Sequence, residues 1–241
     1  MKIEITKNDN IYRHVAQKMA RQVMQKPDSV LCVTTGTTTK PIFDELVRLK
    51  QELNIDFSKA FAFNVDEYVG ICNEDPASCY WRIKRELYVP VGLEDRFYVP
   101  NATEEDVNGG VRRFQDMIDR LESIDLLLLN VGGNGHIAFN EPGTPFGSGV
   151  YIAELSRSTI NAKKDSFGGE GKMPKYGITM GIRSLMQAKK ILFVACGTHK
   201  ADIVKATIKG KVTEDVPSSV LQLHPAVEVI IDEHAAGKLE K

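Results

Sequence analysis

Apolar positions recur every four residues at Ile11, Val15, Met19 and Val23, the spacing of a helix that turns one face to a core. Asn8 and Asp9 stand before it as capping candidates. Beyond this helix the pattern changes to short, nearly continuous apolar runs. Ser29–Thr34, Lys59–Val65, Ile124–Val131, Lys190–Cys196 and Val227–Ile231 read as strands, because runs of this length, rich in branched and aromatic residues, suit strands buried on both faces. Helical segments are predicted between them at Pro41–Leu53, Ser78–Leu87, Val107–Leu121 and Lys200–Lys209. Strand and helix in alternation predict an α/β fold with an open, mostly parallel sheet and helices on both faces, a Rossmann-like arrangement. No internal repeat or linker interrupts it, so one domain is expected over residues 1–241. The glycine and lysine cluster from Lys163 to Lys172 reads as a mobile loop.

The polar punctuation is placed regularly. TTGTTTK follows the strand ending near Thr34, NVDEY follows Phe61–Phe63, and GGNGH and CGTHK follow strands of their own. Four polar clusters at the carboxyl ends of four parallel strands converge on the crevice where open α/β sheets bind ligands.

Composition narrows the class. Charged residues make up 26% and apolar residues 42% of 241, with a formal net charge of −1, which describes a globular protein without a basic stripe for nucleic acid. The four cysteines include no CxxC pair, so reduced thiols are expected rather than zinc or disulfides. MKIEITKNDN lacks the apolar core of a signal peptide, and no apolar run reaches the roughly 18 residues of a membrane span. The expected setting is the cytoplasm, with neither membrane nor nucleic acid as a partner.

Each cluster has a chemistry of its own. Thr34–Thr39, with Gly36 at its centre and Pro41 behind, offers amides and hydroxyls to an anion, or serves as a helix cap. Lys200 either adds a positive charge to that anion or is a solvated lysine at a helix start. Asp66 and Glu67 leave a strand side by side and point in opposite directions, so one of them faces the crevice. A desolvated carboxylate there suits the removal of a proton next to a carbonyl or imine, whereas the plainer alternative is a cap and a surface charge. Gly132, Gly133 and Gly135 permit a sharp turn just before His136, and Glu141 five residues on would orient its imidazole. No second histidine sits at ligand spacing, so no metal site is expected.

FNVDEYVG at Phe63–Gly70 and NGHIAFNEP at Asn134–Pro142 resemble the glucosamine-6-phosphate deaminase (isomerase) family, in its short bacterial form. PKYGITMG from Pro174 and SSVLQLHP from Ser218 extend the resemblance along nearly the whole chain. It implies ring opening of an amino sugar 6-phosphate, aldose–ketose isomerisation and hydrolysis to fructose 6-phosphate and ammonia, with no cofactor. By matching positions, Asp66 looks like the base at carbon 2. His136 looks like the proton shuttle of ring opening, supported by Glu141 and Asn134. Thr35, Gly36, Thr37 and Thr38 match the phosphate and sugar loop, Lys200 the phosphate lysine, and Gly132 joins the substrate-binding set. Assembly varies within the family, and a homo-oligomer is allowed for.

Three positions depart from the pattern. Asn134 stands where many members carry Asp, and Thr37 replaces the second glycine of the phosphate loop. STINAKKDSF at Ser158–Phe167 lacks the arginine that the family sets on the phosphate. Asp165 falls near that position, leaving Lys163 or Lys164 to substitute; as loop residues they would reach the phosphate only on ordering, so Lys200 is expected to dominate. The sugar is therefore open between glucosamine and galactosamine 6-phosphate. A 6-phosphogluconolactonase, whose members lack the FNEP continuation, and a sugar-phosphate sensor without catalysis, which normally follows a helix-turn-helix segment, are the more distant readings.

Overall fold

The computed structural model describes residues 1–7, 10–93, 95–103 and 105–239; the caps expected at Asn8 and Asp9 lie outside them. Helix α1 (Ile11–Gln25) carries the predicted stripe, with Ile11, Val15, Met19 and Val23 all buried. Strands β1 (Lys2–Thr6), β2 (Val30–Val33), β3 (Phe61–Asn64), β5 (Phe97–Tyr98), β6 (Leu126–Asn130), β9 (Ile191–Ala195) and β10 (Val227–Asp232) form one sheet. Its order is β1-β10-β9-β6-β2-β3-β5, and every pairing is parallel.

The continuous apolar runs are explained by two cores. On β6, Leu126 and Leu128 enter the core under α1 and α2 (Thr39–Leu53), while Leu127 and Leu129 enter the opposite core. That second core is closed by α5 (Val107–Asp119), α7 (Ile182–Leu185) and α8 (Ala201–Lys209). A strand buried on both faces has no polar side to display, which is why its sequence does not alternate. From β2 the chain works outward through β3 to β5, then returns to lay β6 on the other flank of β2. The crevice between the carboxyl ends of β2 and β6 is the switch point of the sheet.

A second sheet departs from the predicted pattern. Strands β4 (Asp66–Tyr68), β7 (Tyr151–Glu154) and β8 (Tyr176–Thr179) pair antiparallel in the order β4-β8-β7. The predicted helix at Ser78–Leu87 becomes α3 (Cys79–Ile83), a π-helical turn (Lys84–Tyr88) and α4 (Val89–Val91). Helix α2 begins at Thr39, two residues before the predicted start at Pro41, since proline is tolerated in a first turn where no amide partner is lost. The segment expected to be a loop from Lys163 is helical at its start: α6 (Arg157–Lys163) ends on that lysine, and 3-10 turns follow at Lys164–Phe167 and Glu170–Lys172. The serine hydroxyl of Ser156 caps α6 by accepting from the Thr159 amide at 3.2 Å.

Glu67 joins β4 to α3. Its carboxylate accepts the backbone N–H groups of Tyr68 at 2.8 Å, Cys79 at 2.9 Å and Tyr80 at 2.7 Å. It is neither a surface charge nor a residue of the crevice; it holds the start of α3 in place. Glu67→Gln puts an amide N–H₂ against these donors, and a loss of about 1 to 3 kcal/mol is expected, read as a lower urea midpoint at unchanged slope.

Candidate active site

A cavity of about 810 Å³ opens at the carboxyl ends of β2, β6 and β9, between α3 and α6. Thr35, Gly36, Thr37, Thr38, Asp66, Gly132, Asn134, His136 and Lys200 all line it, so the four polar clusters meet. Glu141 stands one layer back, against the imidazole of His136.

Asp66 and Glu67 point to opposite sides of β4, and Asp66 takes the cavity side. Unlike its neighbour, it receives few donors: Asn64 Nδ2 lies 3.4 Å from Oδ1, and the Cys79 thiol 3.9 Å. Burial, and then the charge of Glu67, raise its pKa to about 7, against the opposing pull of Lys163. Burial also pushes Glu67 up to about 7, but its amide donors oppose this and keep it an acceptor. Asp66 is thus a carboxyl that exchanges its proton near neutrality.

His136 is built on the glycine turn. Gly135 has φ +92°, and a Cβ at Gly132 would collide with Cε1, Nδ1 and Nε2 of the imidazole. Asn140 fastens the outgoing chain by donating to the carbonyls of Ile137 and Met180, each at 2.9 Å. The Nδ1 edge of His136 faces Glu141 Oε2 and the Thr159 hydroxyl, both at 3.4 Å. The Nε2 atom has no partner among the described residues. Asn134 donates to Glu141 Oε2 at 2.7 Å and accepts from the His136 amide at 3.2 Å, so an amide fills the hydrogen-bonding place of the more usual carboxylate. Thr159 also donates to Glu141. Burial alone would raise Glu141; His136 above all, with Thr159 and Asn134, holds it down at about 2.

The anion side is less engaged with protein. Gly36 permits close passage of the loop, since a Cβ there would stand 2.6 Å from Asn130 Nδ2. Thr35 spends its hydroxyl on Cys79 Sγ at 3.2 Å. The hydroxyl of Thr34, buried in the cavity wall, has no partner among the described residues. Lys200 donates to the Val131 carbonyl at 2.8 Å.

Several wall residues were given no role by the one-dimensional pattern: Cys79 and Arg82 from α3, Thr159 from α6 and Tyr68 from β4. Lys163 lines the cavity already, because α6 carries it there, whereas Lys164 and Asp165 are absent from the wall. The expectation that Lys163 arrives only after a loop orders is corrected accordingly. Tyr68 lay within a quoted motif; Arg82 could be found only by packing α3.

Comparison with known proteins gives one direction. The sequence profile of glucosamine-6-phosphate isomerases/6-phosphogluconolactonase matches residues 7–230. A glucosamine-6-phosphate deaminase of Clostridium botulinum is 37% identical over 99% of both chains. One from Lactobacillus johnsonii is 40% identical over 100% of this chain and 98% of its own. The solved structure of a monomeric glucosamine-6-phosphate deaminase superimposes with a TM-score of 0.95 at 34% identity, covering 99% of this chain and 100% of its own. A 6-phosphogluconolactonase from Trypanosoma brucei shares the fold, at a TM-score of 0.80 and 17% identity over 99% and 98% of the two chains.

The homo-oligomer allowed for from sequence is corrected by this comparison, since the structural counterpart at a TM-score of 0.95 is monomeric. None of the helices is long and apolar enough to cross a membrane among the described residues.

The glycine turn generates a test. Gly132→Ala is expected to displace the imidazole and cut turnover at least tenfold, while the far-ultraviolet spectrum and the melting cooperativity are retained. An alanine variant of full activity would show that the Gly132 contact does not position His136.

Proposed function

We propose that this chain, which belongs to the family of glucosamine-6-phosphate isomerases and 6-phosphogluconolactonases, is an amino sugar 6-phosphate deaminase, with glucosamine 6-phosphate as substrate. The reaction releases fructose 6-phosphate and ammonia. One observation carries the reading: a single cavity joins an acid raised to about 7, Asp66, with an imidazole whose carboxylate partner is held at about 2, Glu141. Environments that push carboxyl groups apart in this way separate a proton-transferring group from a permanent charge.

The steps follow from that division. His136, kept in orientation by ionised Glu141 and by Thr159, gives a proton to the ring oxygen as the anomeric hydroxyl loses one, and the sugar opens to its aldehyde. Asp66, as carboxylate, takes the proton from carbon 2, and the electron pair moves toward the aldehyde oxygen, which takes a proton from the substrate ammonium to give an enolamine. Returning that proton to carbon 1 leaves an iminium at carbon 2. Water adds there, and ammonia leaves with the bonding pair. Throughout, Thr35–Thr38, Gly132 and Lys200 hold the sugar and its phosphate. No step calls for a cofactor, and the single domain over residues 1–241 is the catalytic unit. The cytoplasm is the compartment we propose, in keeping with four free thiols.

The reading is tested by incubating the protein with glucosamine 6-phosphate and, separately, galactosamine 6-phosphate in deuterium oxide. Ammonia and ketose should appear in equal amounts from the gluco sugar, with deuterium at carbon 1 of the ketose in the fraction of turnovers in which Asp66 exchanges its proton with solvent before returning it. Preference for the galacto sugar would change the substrate, and hydrolysis of 6-phosphogluconolactone alone would replace the reaction.

Two further outcomes are expected. Asp66→Asn lowers kcat on the order of a thousandfold, within the range for a general base, while fructose 6-phosphate still binds. Because the base must be ionised, wild-type kcat/KM falls about tenfold per unit as pH drops below about 7. A variant retaining more than one hundredth of the rate would assign the base elsewhere. His136→Gln is slowed less, since open-chain sugar forms in water on its own; rate constants equal to those of the wild type would remove His136 from ring opening.

A further inference from the structure

Arg82, Lys163 and Lys200 line one cavity, and Asp66 is the sole carboxylate in its wall among the described residues. Lys200 is partly engaged, by the Val131 carbonyl. Arg82 brings Nε to 3.5 Å from Glu86 Oε1, and its two terminal nitrogens have no hydrogen-bond partner among the described residues. Lys163 has neither a hydrogen-bond nor an ion-pair partner among them. Burial first, and then the charge of Arg82, lower the pKa of Lys163; burial first, and then the charge of Lys163, lower that of Lys200. Lys163 is thus within electrostatic reach of Arg82, of Lys200 and of Asp66, and all four line the same cavity. A cluster of like charges in a half-closed wall is costly unless a ligand brings the counter-charge.

The placement answers an anomaly in the sequence. The family resemblance implies an arginine in the segment 158–167, and the position nearest to it is Asp165, which is exposed and outside the cavity wall. A guanidinium enters the same cavity from another element, α3, whose first turn is fixed by the amide bonds to Glu67. Its terminal nitrogens form the planar fork that matches phosphate oxygens.

We propose that Arg82 is the phosphate-binding arginine of this protein, completing a clamp with Lys163 and Lys200, so that α3 carries the recognition that the segment 158–167 carries in relatives. This rests on the reading of the substrate as a sugar 6-phosphate. Arg82 acts on binding and orientation rather than on proton transfer, so its loss appears in KM and in ligand affinity more than in kcat.

The test uses calorimetric binding of fructose 6-phosphate and of inorganic phosphate, with steady-state kinetics on glucosamine 6-phosphate. For Arg82→Met the dissociation constant for fructose 6-phosphate and the KM should each rise about 10- to 100-fold, with kcat changed less than fivefold. Arg82→Lys, which keeps charge and loses the fork, should fall between, and it serves if the methionine variant does not fold. Arg85→Met, altering a residue stacked on Trp81 outside this cavity, should match the wild type. Adding Asp165→Arg to Arg82→Met should recover a part of the lost affinity. Unchanged fructose 6-phosphate affinity in both Arg82 variants overturns the clamp, even if deamination is intact. A wild type that binds neither probe at millimolar concentration overturns it too. A wild type that binds fructose 6-phosphate through Arg82 yet releases no ammonia supports the clamp and removes the deaminase reading instead.

Discussion

Two adjacent carboxyl groups are buried at the start of β4, and backbone amides are supplied to only one of them. Glu67 takes the amides of Tyr68, Cys79 and Tyr80; Asp66 is left with Asn64 at 3.4 Å and a thiol at 3.9 Å. Two neighbouring ionised carboxylates in a dry site repel each other and lose hydration together. Burial raises both, each to about 7, and the difference between them lies in their partners: Glu67 is held by three amides, whereas Asp66 keeps its oxygens for the cavity. The same bonds set the start of α3, and through it the positions of Cys79 and Arg82 in the cavity wall. A structural carboxylate and a reactive one are in this sense a single arrangement.

Across the cavity the logic is reversed. Glu141 is surrounded by donors, from Asn134 and Thr159, and by the imidazole of His136. Its pKa is held down at about 2, and it faces Nδ1 of His136, which leaves Nε2 without a partner among the described residues. The turn has to be glycine-rich for a steric reason, as the imidazole occupies the space where a Cβ of Gly132 would stand. Chemistry and backbone geometry thus act at one place: the residue that must be reached is packed on the residue that lacks a side chain.

The scaffold is more general than the site. A lactonase at 17% identity keeps the fold at a TM-score of 0.80, which the parallel sheet with its switch point accounts for, since loops beyond the strand ends are free to vary over a constant core. In this chain the cationic wall draws on a lysine at the end of α6 and an arginine on α3, while Asp165 falls near the position where the family resemblance implies an arginine.

The parallel sheet was legible because a strand buried on both faces is written as an unbroken apolar run, as in Leu126–Leu129, and no other local element of that length needs one. His136, Glu141, Asp66 and Lys200 were legible as well, since polar groups following such strands fall at one edge of the sheet. The second sheet was not: DEY, YIAE and YGIT are short and are strands only because they pair with one another, Tyr68 opposite Gly177 and Glu154 opposite Tyr176. The helical start of the segment after Ser156 was missed because a serine cap and packing against the cavity outweighed its glycines and lysines. Arg82 carries no local mark of function, and Lys163 was a candidate only as one of two loop lysines. A cation on a helix is solvated or turned inward according to how that helix is rotated on its neighbours, and this rotation is set by contacts from distant segments, here Glu67 gripping the first turn of α3. The sequence alone determined the parallel sheet and the polar groups gathered at its edge; which charges complete the cavity was decided by tertiary packing, because charge in a wall depends on orientation, and orientation is not a property of a residue's own neighbours in the chain.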